Sequence, residues 1–336
     1  MKLFTDVSPA FYKTLLFNEL NKHEEILVVY QENPKRPFRD GDFLKGEKQF
    51  KFINQTGSKL RMVLGLIKIL WQTNYDELIV GGYNTIYPWA AVLLSPRKKN
   101  ACIIESTLRE TKRNGIREFA KRIFFRRVNK AYVCGKSHAD LVKAFGFDGR
   151  IIDIGSVGFI RRVEQPPFKE RSNVREYLFV GRLTSVKNLE WLIGRFSLHQ
   201  ELNLTIIGTG ELEEKLKEIA PSNVKFLGAV DNSDLPNYYR TADVFILPSY
   251  SETFGIVVEE ALNNGTPVFV SNTVGCQDNL VAANDVGLVF DLGNDEDFEK
   301  KLKKMNDVSY YNHLRLNVSK MDFERFEQNM VRAFLQ

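Results

Sequence analysis

The chain has 336 residues, of which 43% are hydrophobic and 26% charged. This length predicts about two domains, and the composition excludes a disordered or fibrous protein. The net charge of +5 conceals an asymmetry, because residues 1–165 hold 29 Lys and Arg against 17 Asp and Glu, whereas residues 166–336 hold 18 against 25. The two halves are therefore expected to bind different partners, the basic half an anionic one.

The amino terminus and the cysteines favour a reducing compartment. The first residues, MKLFTDVSPAFYK, lack the apolar stretch of a signal peptide, and the uncharged run Leu78–Pro96 holds too many Gly, Asn and Pro for a membrane span. Three cysteines, at 102, 134 and 276, form neither a C-x-x-C pair nor an even-numbered framework. We expect a cytoplasmic protein, either free or peripheral on the inner face of the cell membrane.

The first half predicts strands that alternate with helices. Helices are expected at Phe11–Lys22 and Gly57–Gln72 and around the basic segment Arg117–Asn129. The polar stretch 31–55 is interpreted as loops, and so is its D-x-D sequence at Asp40 and Asp42, which does not follow a buried strand. The predicted strands are Ile26–Tyr30, Glu77–Gly81, Ala101–Ile104, Ala131–Gly135 and Arg150–Gly155.

The second half has short apolar runs whose starts lie 20 to 27 residues apart, with helix-like segments such as LEEKLKEIA between them. This alternation predicts a parallel sheet with helices on both faces. The predicted strands are Tyr177–Val180, Leu204–Ile207, Val224–Leu227, Val244–Leu247, Pro267–Val270 and Gly287–Phe290.

The fold class is therefore α/β, with two Rossmann-like doubly wound domains that face a central cleft at the carboxyl ends of their strands. We expect domains over 1–163 and 164–318, divided where Gly, Pro and charges cluster. Residues 319–336 predict an amphipathic helix that packs back toward the first domain.

Four motifs of the second half point to one elongated anionic ligand. Arg182 and Lys187 follow a strand and suit a diphosphate. The G-x-G at Gly208 and Gly210 allows close backbone approach, and another strand ends at Leu227 and Gly228. Last, the sequence PSYSETFGIVVEEA holds Glu252 before a predicted helix start and Glu260 within that helix, roughly 8 Å along the axis. Two carboxylates so separated suit hydroxyls at the two ends of a nucleotide sugar.

The order G-R-x4-K-N, G-x-G-E, F-L-G and P-S-x-x-E-x-F-G-x4-E-A over Tyr177–Ser271 resembles the donor domain of glycosyltransferase family 4, of the GT-B fold, in the subset that assembles bacterial surface polysaccharides. The resemblance implies three catalytic residues: Arg182 and Lys187 on the diphosphate and Glu252 on the transferred sugar. It implies that Glu260 contacts the ribose. The remaining donor-binding residues are Gly181, Gly208, Gly210, Leu227, Gly228, Phe254, Gly255 and Ile256.

The implied activity is retaining transfer from a nucleotide sugar, with a UDP-sugar favoured and GDP-mannose next, to a glycan or polyprenyl-diphosphate-linked acceptor, without a metal or other cofactor. The first domain departs from the family, because Glu105 and Ser106 stand where many relatives have a His. We expect the acceptor near Ser8, Tyr12, Glu105 and Ser106.

Two further interpretations stay open. The segment 109–130 holds nine Lys and Arg and predicts contact with an anionic membrane surface. Its residues Ile116, Phe119, Ala120, Ile123, Phe124 and Val128 trace one helical face, which is more often core. The rival functions are a sugar-nucleotide epimerase or another GT-B enzyme such as a phosphorylase, and a basic module that binds nucleic acid or membrane. No nucleic-acid partner is expected.

Overall fold

A computed structural model describes residues 1–5, 7, 9–31, 47–109, 111 and 115–336. The chain forms two compact units, one of Met1–Phe159 with Glu324–Gln336 and the other of Ile160–Phe323. Ser8, Asp40 and Asp42, which carry sequence interpretations given above, lie outside the described residues, as do parts of the segment 109–130.

The first unit is built on seven parallel strands in the order β3-β2-β1-β4-β5-β6-β7. The strands are β1 Lys2–Thr5, β2 Ile26–Gln31, β3 Lys51–Gln55, β4 Glu77–Val80, β5 Asn100–Ile104, β6 Lys130–Val133 and β7 Arg150–Asp153. The main helices are α1 Phe11–His23, α2 Lys59–Gln72, α3 Ile86–Leu94, α4 Gly115–Arg126 and α5 Lys136–Ala144.

The second unit has six parallel strands in the order β10-β9-β8-β11-β12-β13. The strands are β8 Glu176–Val180, β9 Asn203–Ile207, β10 Val224–Gly228, β11 Val244–Leu247, β12 Val268–Ser271 and β13 Gly287–Phe290. The main helices are α6 Leu189–Leu198, α7 Glu213–Ile219, α8 Leu235–Thr241, α9 Ile256–Asn263, α10 Asp295–Met305 and α11 Val308–Val318.

The α/β class with two doubly wound sheets is confirmed. Central strands such as β4, β5, β11 and β12 are buried along their whole length, which is why their sequences are nearly continuous apolar runs. The last helix, α12 Phe323–Phe334, belongs almost entirely to the first unit. Its Phe334 ring lies 4.5 Å from the Tyr132 ring and 6.1 Å from the Phe4 ring, measured between centroids.

The interpretation of 31–55 as loops is wrong for β3, which pairs with β2 from Lys51 to Gln55. This edge strand exposes four of its five residues, so it lacks the apolar run by which a buried strand is recognised. The strand β1, which lies between β2 and β4, is also absent from the strands predicted from the sequence. Its Lys2 is buried and forms an ion pair with Glu77, with 2.6 Å between Nζ and Oε2. A charged residue in this position interrupts the apolar pattern by which a buried strand is predicted.

Close backbone packing joins the loops at the carboxyl ends of β8 and β9. At Gly208, where φ is +131°, an added Cβ would lie 1.9 Å from the Gly181 carbonyl oxygen. At Gly210 it would lie 2.3 Å from the Leu183 carbonyl oxygen. The G-x-G pair is therefore required by the contact between two loops of the fold.

We expect Gly208→Ala to lower the free energy of unfolding of the second unit by about 2–4 kcal/mol, because it adds a backbone clash to a left-handed φ. Gly194→Ala is the matched control. Gly194 lies inside α6, and a Cβ there meets nothing within 4 Å, so it should be neutral or stabilise by about 1 kcal/mol. The midpoints of denaturant unfolding curves compare the two variants, and equal midpoints would contradict the role of Gly208 in the packing of the two loops.

Candidate functional site

The strand order of the second unit reverses between β8 and β11, so the loops that follow these two strands start side by side at the carboxyl edge of the sheet. Ligands of open parallel sheets bind at such a point. The first loop carries Gly181, Arg182 and Lys187, and the second carries Glu252 and Phe254. The fold thereby gathers two motifs that are 65 residues apart between Lys187 and Glu252.

Lys187 and Glu252 form an ion pair between Nζ and Oε2. Both side chains are mostly buried, with 15% and 19% of their surfaces exposed. Their backbones are also held: Lys187 ends a single helical turn that begins at Ser185, and the Glu252 carbonyl accepts a hydrogen bond of 2.8 Å from the Gly275 N–H. The pair therefore presents a cation and a carboxylate in fixed positions.

Arg182 lies in the same loop as Lys187, and its residue is exposed. Within the described ranges its guanidinium takes part in no ion pair or side-chain hydrogen bond, so its donors are available to an anion. The structure does not bring Arg182 into contact with Lys187 or Glu252. It joins Lys187 and Glu252 and leaves the second predicted cation directed to solvent.

The amino terminus of α9 follows Glu252 closely. Gly255 precedes the helix with φ of +99°, and no side chain caps the helix start. Phe254 is buried, with its carbonyl accepting a hydrogen bond of 2.9 Å from the Cys276 N–H. The Val258 N–H donates to the Gly255 carbonyl at 2.9 Å, whereas the N–H groups of Ile256 and Val257 can bind an anion or a hydroxyl oxygen.

Glu260 lies inside α9 and accepts a hydrogen bond of 3.1 Å from the Tyr239 hydroxyl of α8. Burial raises the pKa of Glu260 from 4.5 to about 7, while the Tyr239 hydrogen bond and the charge of Arg161 act in the opposite direction. Its neighbour Glu259 is buried, and Glu260 itself is half-buried. Neither acid therefore lies on a fully solvated helix surface.

The remaining predicted donor residues line the ends of β9 and β10. The Gly208 N–H donates to the Gly228 carbonyl at 2.7 Å, which joins the two strand ends. Gly228 has φ of +68° and open space where a Cβ would be, and Leu227 is half-buried. These residues shape the edge of the site and add no charge to it.

On the first unit, Glu105 follows β5 and its Oε1 lies 2.5 Å from Lys13 Nζ of α1. Lys13 is buried, whereas Glu105 keeps 32% of its side-chain surface exposed. Tyr12 and Ser106 are half-buried next to these two residues in the chain. Of the four predicted acceptor residues, Glu105 belongs to this ion pair, and Tyr12 and Ser106 adjoin its members in the sequence. The fourth, Ser8, is outside the described residues.

Several residues of these sites carry no recognisable signal in the sequence. Tyr239 and Lys13 act through contacts that only the fold creates, and Arg161 acts through its charge. Asn188 has a left-handed φ of +57° and is buried, with an Nδ2 atom that finds no hydrogen-bond partner among the described residues. Asn188 is the Asn of the K-N pair in the first motif, so the sequence itself could have drawn attention to this residue. Among the described residues no group of three His, Cys, Asp or Glu could hold a metal ion, and cofactor independence stays a prediction.

The family model described as glycosyl transferases group 1 matches residues 161–318. An uncharacterized glycosyltransferase from Methanocaldococcus jannaschii is 40% identical over 106 residues, which are 29% of this chain and 27% of that protein. The GDP-mannose-dependent alpha-mannosyltransferase of Mycolicibacterium smegmatis is 37% identical over 114 residues, 34% and 30% of the two chains. The chain spans less than half the length of the first curated relatives it matches.

Solved structures resemble the whole chain. The lipopolysaccharide outer core galactosyltransferase WaaB covers 100% of this chain and 99% of its own, with a TM-score of 0.74 and 17% identity. Anabaena HepE in complex with UDP and glucose covers 99% of each chain, with a TM-score of 0.70 and 17% identity. These likenesses concern the fold alone, and they confirm the GT-B prediction.

The raised pKa of Glu260 predicts a pH-dependent stability. Because its folded pKa of about 7 lies above its ordinary value of 4.5, the folded state holds the proton more tightly, and stability falls as pH rises from about 4.5 to about 7. Relative to Glu260→Gln, the wild type should lose at most about 3 kcal/mol of unfolding free energy between pH 5 and pH 8. Glu218→Gln, at an exposed residue of α7, is the control. Parallel pH curves for the wild type and Glu260→Gln would contradict the raised pKa.

Proposed function

Because residues 161–318 match the family model described as glycosyl transferases group 1, we propose that the protein is a retaining glycosyltransferase. It transfers a sugar from a nucleotide-sugar donor to a glycan or polyprenyl-diphosphate-linked acceptor in cell-surface polysaccharide synthesis. The observation that carries the proposal is the Lys187–Glu252 pair beside the uncapped start of α9. This site offers positive charge for a diphosphate and a carboxylate for sugar hydroxyls.

In the proposed reaction, the bond between the sugar C1 and the oxygen of the β-phosphate breaks, and negative charge develops on the departing diphosphate. Lys187 and Arg182 stabilise that charge as it forms. Glu252 holds hydroxyls of the transferred sugar. The acceptor oxygen forms a new bond to C1 on the face from which the diphosphate departs, so the anomeric configuration is retained, and the departing phosphate accepts the proton of the acceptor hydroxyl.

The donor is proposed to be a UDP-sugar, with GDP-mannose second. The UDP-bound HepE structure supports the first choice, and the name of the mycobacterial relative supports the second. Glu260 is proposed to accept hydrogen bonds from the ribose, at the far end of the donor from Glu252. The remaining partners are the acceptor and an anionic membrane surface contacted through segment 109–130, at the cytoplasmic face.

We expect Lys187→Met to lower donor turnover about 10²–10³-fold, as removal of one preorganised charge partner does in other enzymes. The assay incubates the protein with a panel of UDP- and GDP-sugars and measures release of the free nucleoside diphosphate. Lys215→Met is the control, because Lys215 pairs with Glu190 at an exposed position of the same unit. Equal turnover in the two variants would contradict the assignment of Lys187.

The same assay separates the rival functions. An epimerase would interconvert two nucleotide sugars without releasing nucleoside diphosphate, and a phosphorylase would require inorganic phosphate. A basic binding module would release nothing from any donor. Each of these results would overturn the proposed transfer.

Glu260 predicts the pH dependence of donor binding. An ionised carboxylate accepts hydrogen bonds from ribose hydroxyls more strongly than a protonated carboxyl does, so affinity for UDP should rise more steeply with pH in the wild type than in Glu260→Gln. With a pKa of about 7, the ionised fraction grows about tenfold between pH 6 and pH 8, and this sets the expected difference. Calorimetric titration measures it, and a nucleotide without ribose hydroxyls is the control probe. No difference between wild type and variant would exclude the ribose contact.

A further inference from the structure

Three neighbouring helices of the first unit expose large apolar side chains to solvent. Trp71 is 79% exposed, Leu60 69% and Ile116 88%. Each of α2, α3 and α4 contributes three such residues. They are Leu60, Leu64 and Trp71 on α2, Ile86, Leu93 and Leu94 on α3, and Ile116, Phe119 and Ile123 on α4. We call these nine residues and the cations between them the α2–α4 surface.

The three helices form one layer. Their opposite faces bury Met62, Ala91 and Phe124 in a single core against the sheet. The Tyr87 hydroxyl of α3 contacts Met62 Sδ of α2 at 3.8 Å, and the Trp89 ring of α3 lies 5.2 Å from the Phe124 ring of α4. Because the inward faces share this core, the outward faces lie next to one another.

The exposed apolar residues follow helical spacing and are not scattered. On α2, Leu60, Leu64, Lys68 and Trp71 are separated by four, four and three positions, which aligns them along one face. On α4, the interpretation of one continuous core face is wrong, because Phe124 and Val128 are buried whereas Ile116, Phe119 and Ile123 are exposed. The helix thus has two apolar faces, one turned to the core and one to solvent.

The charges between these residues are almost all positive. Neither α2 nor α3 holds an Asp or Glu, and the one acid of α4, Glu118, lies 2.9 Å from Arg122. The cations of the helices are Lys59, Arg61, Lys68, Arg117, Lys121, Arg122 and Arg126. Five of them, Lys59, Arg61, Lys68, Arg117 and Arg126, form no ion pair with any described residue.

We propose that the α2–α4 surface binds an anionic lipid bilayer. Apolar side chains, with Trp71 at the level of the headgroups, enter the boundary of the acyl region, while the unpaired cations contact lipid phosphates. A second copy of this chain fits poorly, because a symmetric contact would bring the same cations face to face. None of the helices of the described residues has the length and apolarity needed to cross a membrane. In the proposed contact, α2, α3 and α4 lie on the bilayer surface.

This inference deepens the proposed membrane partner, because segment 109–130 supplies one helix of a three-helix surface. It does not depend on donor chemistry. Absence of nucleotide-sugar turnover would overturn the proposed reaction and leave vesicle binding unaffected, so the two failures are distinguishable.

The test is sedimentation with vesicles of phosphatidylcholine that contain or lack phosphatidylglycerol. The wild type should bind the anionic vesicles, and less so as salt rises. The double variant Trp71→Ser, Phe119→Ser should bind at least tenfold more weakly, since two large apolar side chains are lost. The matched control is Leu198→Ser, at a residue that is 68% exposed on α6 of the second unit, and its binding should equal that of the wild type.

A second measurement follows Trp71 itself. Its fluorescence emission should shift to the blue with anionic vesicles, and the shift should vanish in Trp71→Phe. Circular dichroism verifies that the variants are folded. The proposal is overturned if vesicles bind neither protein, if the double variant binds as well as Leu198→Ser, or if the double variant instead changes only the molar mass of the protein in solution, which would assign the surface to self-association.

Discussion

The ion pair between Lys187 and Glu252 links the loops that follow β8 and β11, two strands far apart in sequence and adjacent in the sheet. A mostly buried charge is costly without a partner, so each side chain holds the other in place. In the proposed reaction, a diphosphate at Lys187 competes with Glu252 for the ammonium group. The Glu252 carboxylate keeps its place and accepts hydrogen bonds from the hydroxyls of the sugar, so the ion pair is replaced by two separate contacts with the donor.

The lysines and arginines of the first unit fall into two groups, one buried and one exposed. Where lysines are buried they are neutralised: Lys2 pairs with Glu77, which also lies 2.9 Å from Lys130 Nζ, and Lys13 pairs with Glu105. Of the lysines and arginines that project from the helical layer, Lys59, Arg61, Lys68, Arg117 and Arg126 form no ion pair with any described residue. The positive excess of the first half therefore belongs to its surface, and there it accompanies exposed apolar residues, a combination suited to the boundary between water and lipid.

The sequence predicts most strands because a strand buried on both sides must be apolar along its length. It fails for β3, an exposed edge, and for β1, whose Lys2 reads as a surface residue until Glu77 is placed beside it. At the site, the order of the four motifs predicts Lys187, Glu252 and Glu260, because each motif lies within one short continuous stretch of sequence. Tyr239 and Arg161 could not be found in this way, because they approach Glu260 only through the packing of separate segments.

The tight approach of Gly208 and Gly210 to the neighbouring loop affects how this sequence signature is interpreted elsewhere. Both glycines are demanded by backbone contacts within the protein, and neither contact involves a reacting group. A descendant that had lost its chemistry would still need them in order to fold. The G-x-G pair therefore marks the architecture, and under the proposed reaction a pseudoenzyme would be recognised instead by the loss of Lys187 or Glu252 from an otherwise intact framework.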